Sequence, residues 1–303
     1  MKLKTKDLLT GDEISSKEFL KLIDFSIKLK KQNRTGKQKL LLKNKTLAMI
    51  FEKPSTRTRV SFEVGILQLG GHAINLPLQQ MQHSRGESAE DTAKTLSRYV
   101  DVIVIRAYEH NFIEELANHS TIPVINGLSN SYHPCQTLAD LMTIKEYKKK
   151  FKDIKIAWIG DGNNVCNSLI FGCSKTQIQI SIATPKGFEP NPDVVKNASK
   201  HTTIDLTTNP ELAVRDADVV MTDTFVSIHD SDAKSKKFMP TFQVNASLMN
   251  KAKDNAIFMH CLPAKRGYEV TNSVIDGPQS VVWDEAENRL HTQKALLGSL
   301  LGI

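Results

Sequence analysis

Residues 55–59 combine hydroxyl and guanidinium groups at consecutive positions. They read Ser-Thr-Arg-Thr-Arg and lie between an apolar run, 46–51, and a segment with helical periodicity. A strand that turns into a helix here directs unpaired backbone N–H groups and the positive end of the helix dipole at one point. The hydroxyls and the planar guanidinium of Arg57 suit phosphate or carboxylate oxygens. The segment therefore predicts an anion site, and the alternative is an ordinary helix capped by Ser55 with exposed arginines.

Two further groups of polar residues follow apolar runs in the first half of the chain. Arg106 ends the run 102–105, where a charge is costly without a partner, so we expect it to bind a phosphate or a carbonyl group. His133 and Gln136 flank the start of a helical segment, and an imidazole and an amide there suit a carbonyl and an amino group. The alternative is a structural histidine, which is the commoner role for a single histidine near a helix start.

Residues 160–164 read Gly-Asp-Gly-Asn-Asn and lie between an apolar run and a helical pattern, which invites comparison with dinucleotide-binding proteins. Val165 replaces the third glycine of that fingerprint. The next apolar run, 178–182, leads into Ala183 and Thr184 without a carboxylate that could bind a ribose hydroxyl. We therefore expect no dinucleotide at this turn.

Two reactive side chains end apolar runs in the second half of the chain. Asp223 follows the run 219–221 closely and suits a substrate ammonium, although a solvated or capping aspartate fits the same position. The Cys261 thiol could act as a nucleophile only with an imidazole beside its sulfur, and neighbouring strand residues such as His260 and Cys261 point to opposite faces. We therefore expect Cys261 to position a substrate.

The composition is that of a globular protein with a small positive charge. Its 303 residues are 40% apolar and 24% charged with a net charge of +7, and the length suggests two domains. Lysines are spread over helical faces at 28–31 and 145–152, which argues against a nucleic-acid-binding stripe. The apolar runs are too short to span a membrane, and residues 1–6 do not lead into the apolar core of a signal peptide. We expect neither a nucleic-acid nor a membrane partner.

Cysteine usage indicates a reducing compartment. The four cysteines form no Cys-x-x-Cys pair and show no zinc-type spacing; they are Cys135, Cys166, Cys173 and Cys261. We expect reduced thiols in a cytoplasmic protein and no metal site.

Strand-like apolar runs alternate with helical patterns, which predicts an α/β fold with parallel sheets. The expected strands are 46–51, 102–105, 124–125, 154–159, 178–182, 219–221, 257–259 and 281–283. The expected helices are 15–31, 58–69, 88–99, 112–118, 136–151, 164–175, 210–216 and 285–301. We predict two doubly wound parallel-sheet domains, 1–148 and 149–284, with the active site in the cleft between them and helix 285–303 packed back on the first domain.

The order of the motifs resembles that of the aspartate/ornithine carbamoyltransferase family, and the Cys-containing His-Cys-Leu-Pro element favours its ornithine-specific members. The resemblance covers nearly the whole chain. It implies transfer of the carbamoyl group from carbamoyl phosphate to the δ-amine of L-ornithine, giving L-citrulline and phosphate without a cofactor. It also implies a carbamoyl-phosphate domain, a following ornithine domain, and a homotrimer or a multiple of trimers with active sites between subunits.

The resemblance assigns roles to individual side chains. The residues expected to bind carbamoyl phosphate are Ser55, Thr56, Arg57, Thr58, Arg106, His133, Gln136 and Arg289. Those expected to hold ornithine are Asn164, Asp223, Ser227, Ile228, Cys261 and Leu262. Gln82 corresponds to a residue that family members lend to a neighbouring subunit. The expected catalytic residues are Arg57, Thr58, Arg106, His133 and Cys261.

Two segments depart from the family pattern. The usual Ser-Met-Gly reads Ser-Ile-His at 227–229, and the usual Leu-Gly after Gln82 reads His-Ser at 83–84. Isoleucine preserves apolar bulk, whereas His229 in place of glycine removes backbone freedom from a loop expected to close over substrate. Two alternatives therefore stay open: carbamoyl transfer to another amine such as putrescine, and a non-catalytic regulator that binds carbamoyl phosphate.

Overall fold

The computed structural model describes residues 2–82, 86–225 and 236–302, so the predicted residues Ser227 and Ile228 and the departures at 83, 84 and 229 lie outside it. The chain divides into two compact units, one of Met1–Met142 with Glu287–Ile303 and one of Thr143–Ala286. Each unit contains a parallel sheet with helices, which confirms the predicted fold class. Among the described residues, no helix is long and apolar enough to cross a membrane.

The first unit contains a four-stranded sheet. Its strands are β1 (Thr46–Phe51), β2 (His72–Pro77), β3 (Val102–Arg106) and β4 (Val124–Leu128). They pair in the order β2-β1-β3-β4, and all pairs are parallel. The helices of this unit are α1 (Ser16–Arg34), α2 (Thr56–Gln68), α3 (Ala89–Tyr99) and α4 (His110–His119). Two further helices, α5 (Pro134–Lys148) and α11 (Val282–Leu300), contain the points at which the chain divides into the two units.

The second unit contains a five-stranded sheet. Its strands are β5 (Lys155–Ile159), β6 (Gln179–Ala183), β7 (Ile204–Thr207), β8 (Val219–Thr222) and β9 (Ile257–His260). They pair in parallel in the order β7-β6-β5-β8-β9. Its helices are α6 (Asn164–Thr176), α7 (Pro192–Ala198), α8 (Pro210–Val214), α9 (Ala246–Met249) and α10 (Asn272–Ile275).

The central strands are apolar on both faces because helices cover both sides of a parallel sheet. In β3, Val102 and Ile105 are fully buried, and so is Trp158 in β5. Near the end of β8, the rings of Phe225 and Phe238 stack with their centroids 4.7 Å apart. These cores hold the strands rigidly, so that the residues immediately after each strand have fixed positions.

The strand register brings the predicted site residues to one edge of each sheet. In the first unit, Phe51 pairs with Arg106, and Arg106 pairs with Leu128 across a β-bulge. In the second unit, Thr222 pairs with both Ile159 and His260. The segments that follow these strands are therefore neighbours within their own unit, as expected for ligand-binding loops of parallel sheets.

The expected strand 281–283 is wrong, because α11 begins at Val282. The Glu285 N–H already donates to the Val281 carbonyl oxygen at 3.0 Å, and the Trp283 side chain is 65% exposed. Three apolar residues do not distinguish a strand from the first turn of a helix. The prediction also missed two edge strands and three short helices, namely β2, β7, α7, α9 and α10.

Candidate active site

The turn between β1 and α2 presents an open helix N-terminus. Ser55 occupies the N-cap in an extended conformation, but its side chain makes no capping hydrogen bond, and the first turn holds no acidic residue. The Ser55 hydroxyl instead accepts a hydrogen bond from Arg106 Nη1 at 3.2 Å. Ser55 therefore occupies the N-cap position of the capped-helix alternative, but its side chain caps no backbone N–H. Uncapped N–H groups, the helix dipole and a guanidinium converge here as an anion site requires.

A carboxylate joins the ends of β1 and β3 beside this turn. The Glu52 N–H donates to the Arg106 carbonyl oxygen at 2.9 Å, and Glu52 Oε2 accepts from the Tyr108 N–H at 2.6 Å. The two bonds hold the backbone that carries Arg106. Sequence reasoning did not identify Glu52, because nothing in its local pattern shows which backbone group it meets.

Arg289 on α11 links two other predicted residues of the first unit. Its Nη1 donates to Gln136 Oε1 at 2.5 Å, and its Nη2 donates to Thr58 Oγ1 at 3.2 Å. Gln136 Nε2 in turn donates to Asp140 Oδ1 at 2.8 Å. All four side chains are buried. A planar guanidinium held in this way is preorganised to meet a planar or tetrahedral anion.

His133, immediately before α5, is buried and neutral. Burial lowers its pKa well below the usual value, and the positive charges of Arg289, Arg106 and Arg57 lower it further. A neutral imidazole among three cations can donate one hydrogen bond to a carbonyl oxygen without adding another charge. The three arginines therefore lie close enough to His133 for their charges to act on its imidazole.

Other residues near this cluster differ in exposure. Thr56 is exposed at the start of α2, Arg57 is half-buried, and Gln82 is exposed. Cys135 is buried, its thiol donates to the Asn126 carbonyl oxygen, and burial raises its pKa to about 12. Cys135 is therefore a packing residue and not a nucleophile.

Asp223 is the centre of a second cluster, in the second unit. Its Oδ1 accepts from the Cys261 thiol at 3.1 Å, and its Oδ2 accepts from Asn163 Nδ2 at 2.8 Å. Asn163 also caps α6, accepting from two backbone N–H groups. Sequence reasoning chose Asn164, whose Oδ1 accepts from the Val165 N–H, and missed Asn163. Two consecutive asparagines gave no sequence signal to separate the cap from its neighbour.

The glycines of segment 160–164 serve the packing of the chain itself. Gly160 has a φ of +130°, and a Cβ there would lie 2.9 Å from the ring of Phe225. A Cβ on Gly162 would lie 2.2 Å from the backbone nitrogen of Pro190, and the Gly162 N–H donates to the Phe188 carbonyl oxygen at 2.8 Å. Close approach of two protein segments accounts for these glycines.

His260 and Cys261 have separate partners, as expected for residues on opposite faces of a strand. His260 Nδ1 accepts from the Leu262 N–H at 2.8 Å, and Nε2 faces Glu269 Oε1 at 3.3 Å. Leu262 has a φ of +58°, a conformation uncommon for a residue with a side chain. The imidazole therefore supports the backbone after Cys261, and it does not activate the thiol.

One group in the described part of the chain has metal-ligand chemistry. Ligand atoms of Asp223, His260 and Cys261 lie within 4.8 Å of one another. Both ring nitrogens of His260 and the Cys261 thiol already have protein partners. These contacts explain the arrangement without an ion.

Comparisons with known proteins cover both units. The model of the aspartate/ornithine carbamoyltransferase carbamoyl-P binding domain matches residues 6–146, and that of the Asp/Orn binding domain matches residues 152–300. An ornithine carbamoyltransferase of Cenarchaeum symbiosum (strain A) is 59% identical over 301 residues, with 99% of each chain covered. One from Bacillus thuringiensis subsp. konkukian is 52% identical over 99% of this chain and 95% of that protein.

Solved structures show the same relationship. The ornithine carbamoyltransferase from Pyrococcus furiosus superposes with a TM-score of 0.94 at 49% identity, and the match covers 98% of each chain. The enzyme from Thermus thermophilus gives a TM-score of 0.90 at 40% identity over 98% of this chain and 99% of that one. Sequence and fold agree along both units, and the chain belongs to the aspartate/ornithine carbamoyltransferase family.

Proposed function

We propose that this protein transfers the carbamoyl group of carbamoyl phosphate to the δ-amine of L-ornithine, giving L-citrulline and phosphate. The relatives that match nearly the whole chain are named ornithine carbamoyltransferase. The observation that carries the proposal is the set of three arginines, Arg57, Arg106 and Arg289, around the neutral imidazole of His133. This arrangement suits a donor that combines a phosphate with a polarisable carbonyl group.

In the proposed reaction, the phosphate of the donor lies at the N-terminus of α2, where Ser55, Thr56 and Arg57 bind it. The neutral amine attacks the carbonyl carbon, and a C–N bond forms. Thr58, Arg106 and His133 stabilise the negative charge on the carbonyl oxygen in the tetrahedral intermediate. The C–O bond to phosphate then breaks, phosphate leaves with the electron pair, and the proton that the amine loses passes to the departing phosphate. Gln136 and Arg289 orient the carbamoyl group.

The second unit is the proposed ornithine domain. Asp223 supplies a buried carboxylate for an ammonium group, and Asn164 supplies an amide. Cys261 and Leu262 are proposed to lie beside the reacting amine, since Cys261 is already held by Asp223 at 3.1 Å. Ser227 and Ile228 complete the proposed set. We assign residues 1–148 and helix 285–303 to carbamoyl phosphate and 149–284 to ornithine.

We further propose a homotrimer in the cytoplasm. Apolar side chains on α2 and the edge strand β2 support an interface in the first unit, since Val60, Leu67 and Ile74 are 51%, 64% and 47% exposed. Exposed Gln82 is proposed to reach the site of a neighbouring subunit. Free thiols at the four cysteines support a reducing compartment.

An amine panel tests the function. Ornithine, lysine and putrescine are offered to the native protein with saturating carbamoyl phosphate, and the carbamoylated product is quantified. We expect ornithine to lead. The Ile228→Met/His229→Gly double variant is expected to be equal or faster with the same preference. If putrescine gives the most product, the proposed acceptor is wrong. If the protein binds carbamoyl phosphate but forms no product with any amine, the result favours a non-catalytic regulator.

A further inference from the structure

A buried histidine that has no part in the proposed reaction, His110, is the first residue of α4. It is 7% exposed, and its Nδ1 lies 2.9 Å from Ser129 Oγ. Its ring meets the ring of Tyr132 edge to face, with the centroids 4.9 Å apart. Ser129 and Tyr132 belong to the loop between β4 and α5, and His133 follows Tyr132 directly. His110 therefore contacts this loop at two points beside a proposed catalytic residue.

The Ser129 side chain organises the loop. Its Oγ accepts from the Tyr132 N–H at 3.1 Å and from the Ser131 N–H at 3.3 Å. The Ser129 N–H in turn donates to the Tyr132 carbonyl oxygen at 2.9 Å, and the Asn130 N–H donates to the Tyr108 carbonyl oxygen at 2.8 Å. Ser129 is fully buried. These bonds fix the backbone immediately before His133.

The contact between Ser129 and His110 has a defined direction. A hydroxyl group has two lone pairs and one proton, and two backbone N–H groups already donate to Ser129 Oγ. The hydroxyl proton therefore goes to an acceptor, and His110 Nδ1 at 2.9 Å is nearer than the Tyr132 carbonyl oxygen at 3.4 Å. The proton of the imidazole is then on Nε2, which faces Glu114 Oε1 at 3.7 Å.

This direction requires a neutral imidazole, because a protonated one donates from both nitrogens and cannot accept. Burial lowers the pKa of His110 below its usual value, and the carboxylates of Glu114 and Glu13 only partly offset that effect. His110 is therefore neutral at neutral pH, and its Nδ1 lone pair is available to the Ser129 hydroxyl.

We propose that His110 is a positioning residue that, through Ser129, fixes the loop carrying His133 and so directs the His133 imidazole. This inference rests on the proposed function, in which His133 stabilises the charge on the carbonyl oxygen of the donor. A donor that acts on a developing charge is sensitive to its direction, so a less constrained loop should lower kcat. The proposed phosphate contacts begin α2 and lie outside this loop, so the affinity for carbamoyl phosphate should change little.

Two variants at position 110 separate the hydrogen bond from the ring contact. His110→Phe keeps a ring against Tyr132 but offers no acceptor to the Ser129 hydroxyl. His110→Asn places an amide oxygen near the position of Nδ1 but has no ring. We expect kcat with ornithine to fall roughly 10- to 100-fold in His110→Phe and to stay within about threefold of the native value in His110→Asn. The dissociation constant of carbamoyl phosphate, measured by calorimetry, should change by less than about threefold in both.

A second site and a matched control sharpen the result. Ser129→Ala removes the same bond from its other end, so adding His110→Phe to that variant should lower kcat by less than about twofold further. His119→Phe makes the same exchange at the last residue of α4, where the side chain is 37% exposed. This control should leave both kcat and the affinity for carbamoyl phosphate unchanged.

Nuclear magnetic resonance of ¹⁵N-labelled imidazoles tests the inference without turnover. The His110 and His133 signals are identified by their loss in His110→Phe and His133→Gln. In the native chain, His110 should show the pattern of a neutral ring protonated on Nε2. The His133 signal should shift in His110→Phe and return towards its native position in His110→Asn.

The outcomes separate this inference from the proposed function. A native His110 protonated on Nδ1 would overturn the inference, as would a His110→Phe variant with native kcat and a native His133 signal. Equal losses in the Phe and Asn variants, or a full further loss on top of Ser129→Ala, would also overturn it. A native chain that forms no citrulline but shows the expected imidazole signals would refute the proposed function and leave the positioning role intact.

Discussion

At the level of single residues, positive charge and a directed neutral N–H come from different side chains of one group, formed by Arg57, Arg106, Arg289 and His133. Arg57, Arg106 and Arg289 supply positive charge, whereas His133 stays neutral because burial and those charges lower its pKa. The imidazole therefore contributes a directed N–H, and the guanidiniums contribute both charge and paired donors. Substitutions that keep the charge but change the geometry distinguish these contributions.

Replacement of Arg106 by alanine should reduce carbamoyl transfer about 100- to 1,000-fold, the usual cost of losing a donor aimed at a developing oxyanion. Replacement of Arg57 by alanine should reduce it about 100-fold, because the phosphate loses a charged hydrogen-bond partner. Arg106→Lys should recover only part of the rate, because lysine keeps the charge without the fork that reaches Ser55. Steady-state rates with circular dichroism as the folding control provide the measurement. Near-normal turnover in a folded alanine variant would remove that arginine from the mechanism.

Gly162→Ala should strongly destabilise the second unit. The added Cβ would meet backbone atoms of Glu189 and Pro190 at 2.5 and 2.2 Å, and backbone cannot yield as a side-chain tip does. We expect a loss of about 3 kcal/mol or more in the free energy of unfolding, measured by urea denaturation.

Gly298→Ala is the matched control, because a Cβ there meets only the ring of Phe25, at 3.7 Å, within α11. Alanine at that position should be neutral or stabilising by up to about 1 kcal/mol. Equal stabilities for the two variants would show that close packing at Gly162 is unimportant.

At the level of elements, the sequence predicted what local patterns encode and missed what depends on distant partners. The turn at 55–59 was identifiable because hydroxyls and arginines follow an apolar run. Asp140 and Glu52 were not, because their partners are an amide and a backbone N–H that only the folded chain brings near. Arg289 was found through family resemblance alone, since its position within α11 has no local signature.

The buried polar face of α11 explains why a helix with little apolar periodicity is stable. Lys30 Nζ on α1 donates to Asn288 Oδ1 at 2.7 Å, and Lys294 Nζ donates to Gln68 Oε1 on α2 at 2.8 Å. Gly65 on α2 allows close approach, since a Cβ there would lie 3.3 Å from Lys294 Cγ. Asn288 and Lys294 flank Arg289 along α11, so their contacts hold Arg289 beside Thr58.

His291 on this helix should make the protein sensitive to acid. Burial lowers its pKa from 6.5 to about 4, and the attraction of Glu287 only partly offsets that effect. Between these values, the unfolded chain binds a proton that the folded chain does not. Stability is therefore lost as the pH falls from about 6.5 to about 4, with a slope of up to about 1.4 kcal/mol per pH unit from this group.

His291→Gln should flatten that slope, as followed by urea unfolding at several pH values. Replacement of the exposed His201 by glutamine provides the control and should leave the slope as it is. An unchanged slope in His291→Gln would mean that the imidazole is protonated in the folded protein at these pH values.

At the level of the whole molecule, each unit gathers its polar residues after the strands of its own sheet. The first unit presents cations and an open helix end, and the second presents a carboxylate, an amide and a thiol. This division matches the chemistry of an anionic donor and a cationic acceptor. Gln82 is exposed and belongs to neither group, so a substitution at this residue tests the proposed assembly of subunits.

Mixed trimers should recover activity that each parent lacks. Arg57→Ala and Gln82→Ala chains are each expected to be nearly inactive, but reassembled mixtures can form an intact site where a native Gln82 meets a native Arg57. Activity after refolding, with the mixed composition verified by differential tags, provides the measurement. No recovery in verified mixed trimers would indicate that one chain supplies each complete site.

The bond between Arg289 and Thr58 joins residues that are 231 positions apart. At about 5–20 residues per second, the ribosome makes Arg289 roughly 10 to 50 seconds after Thr58. During that interval the first sheet can form while the groove beside Gly65 stays uncovered and the anion site lacks one guanidinium. Arrival of α11 thus closes an exposed surface and completes the group of three guanidiniums around His133 in a single step, so this buried group cannot form before most of the chain has been made.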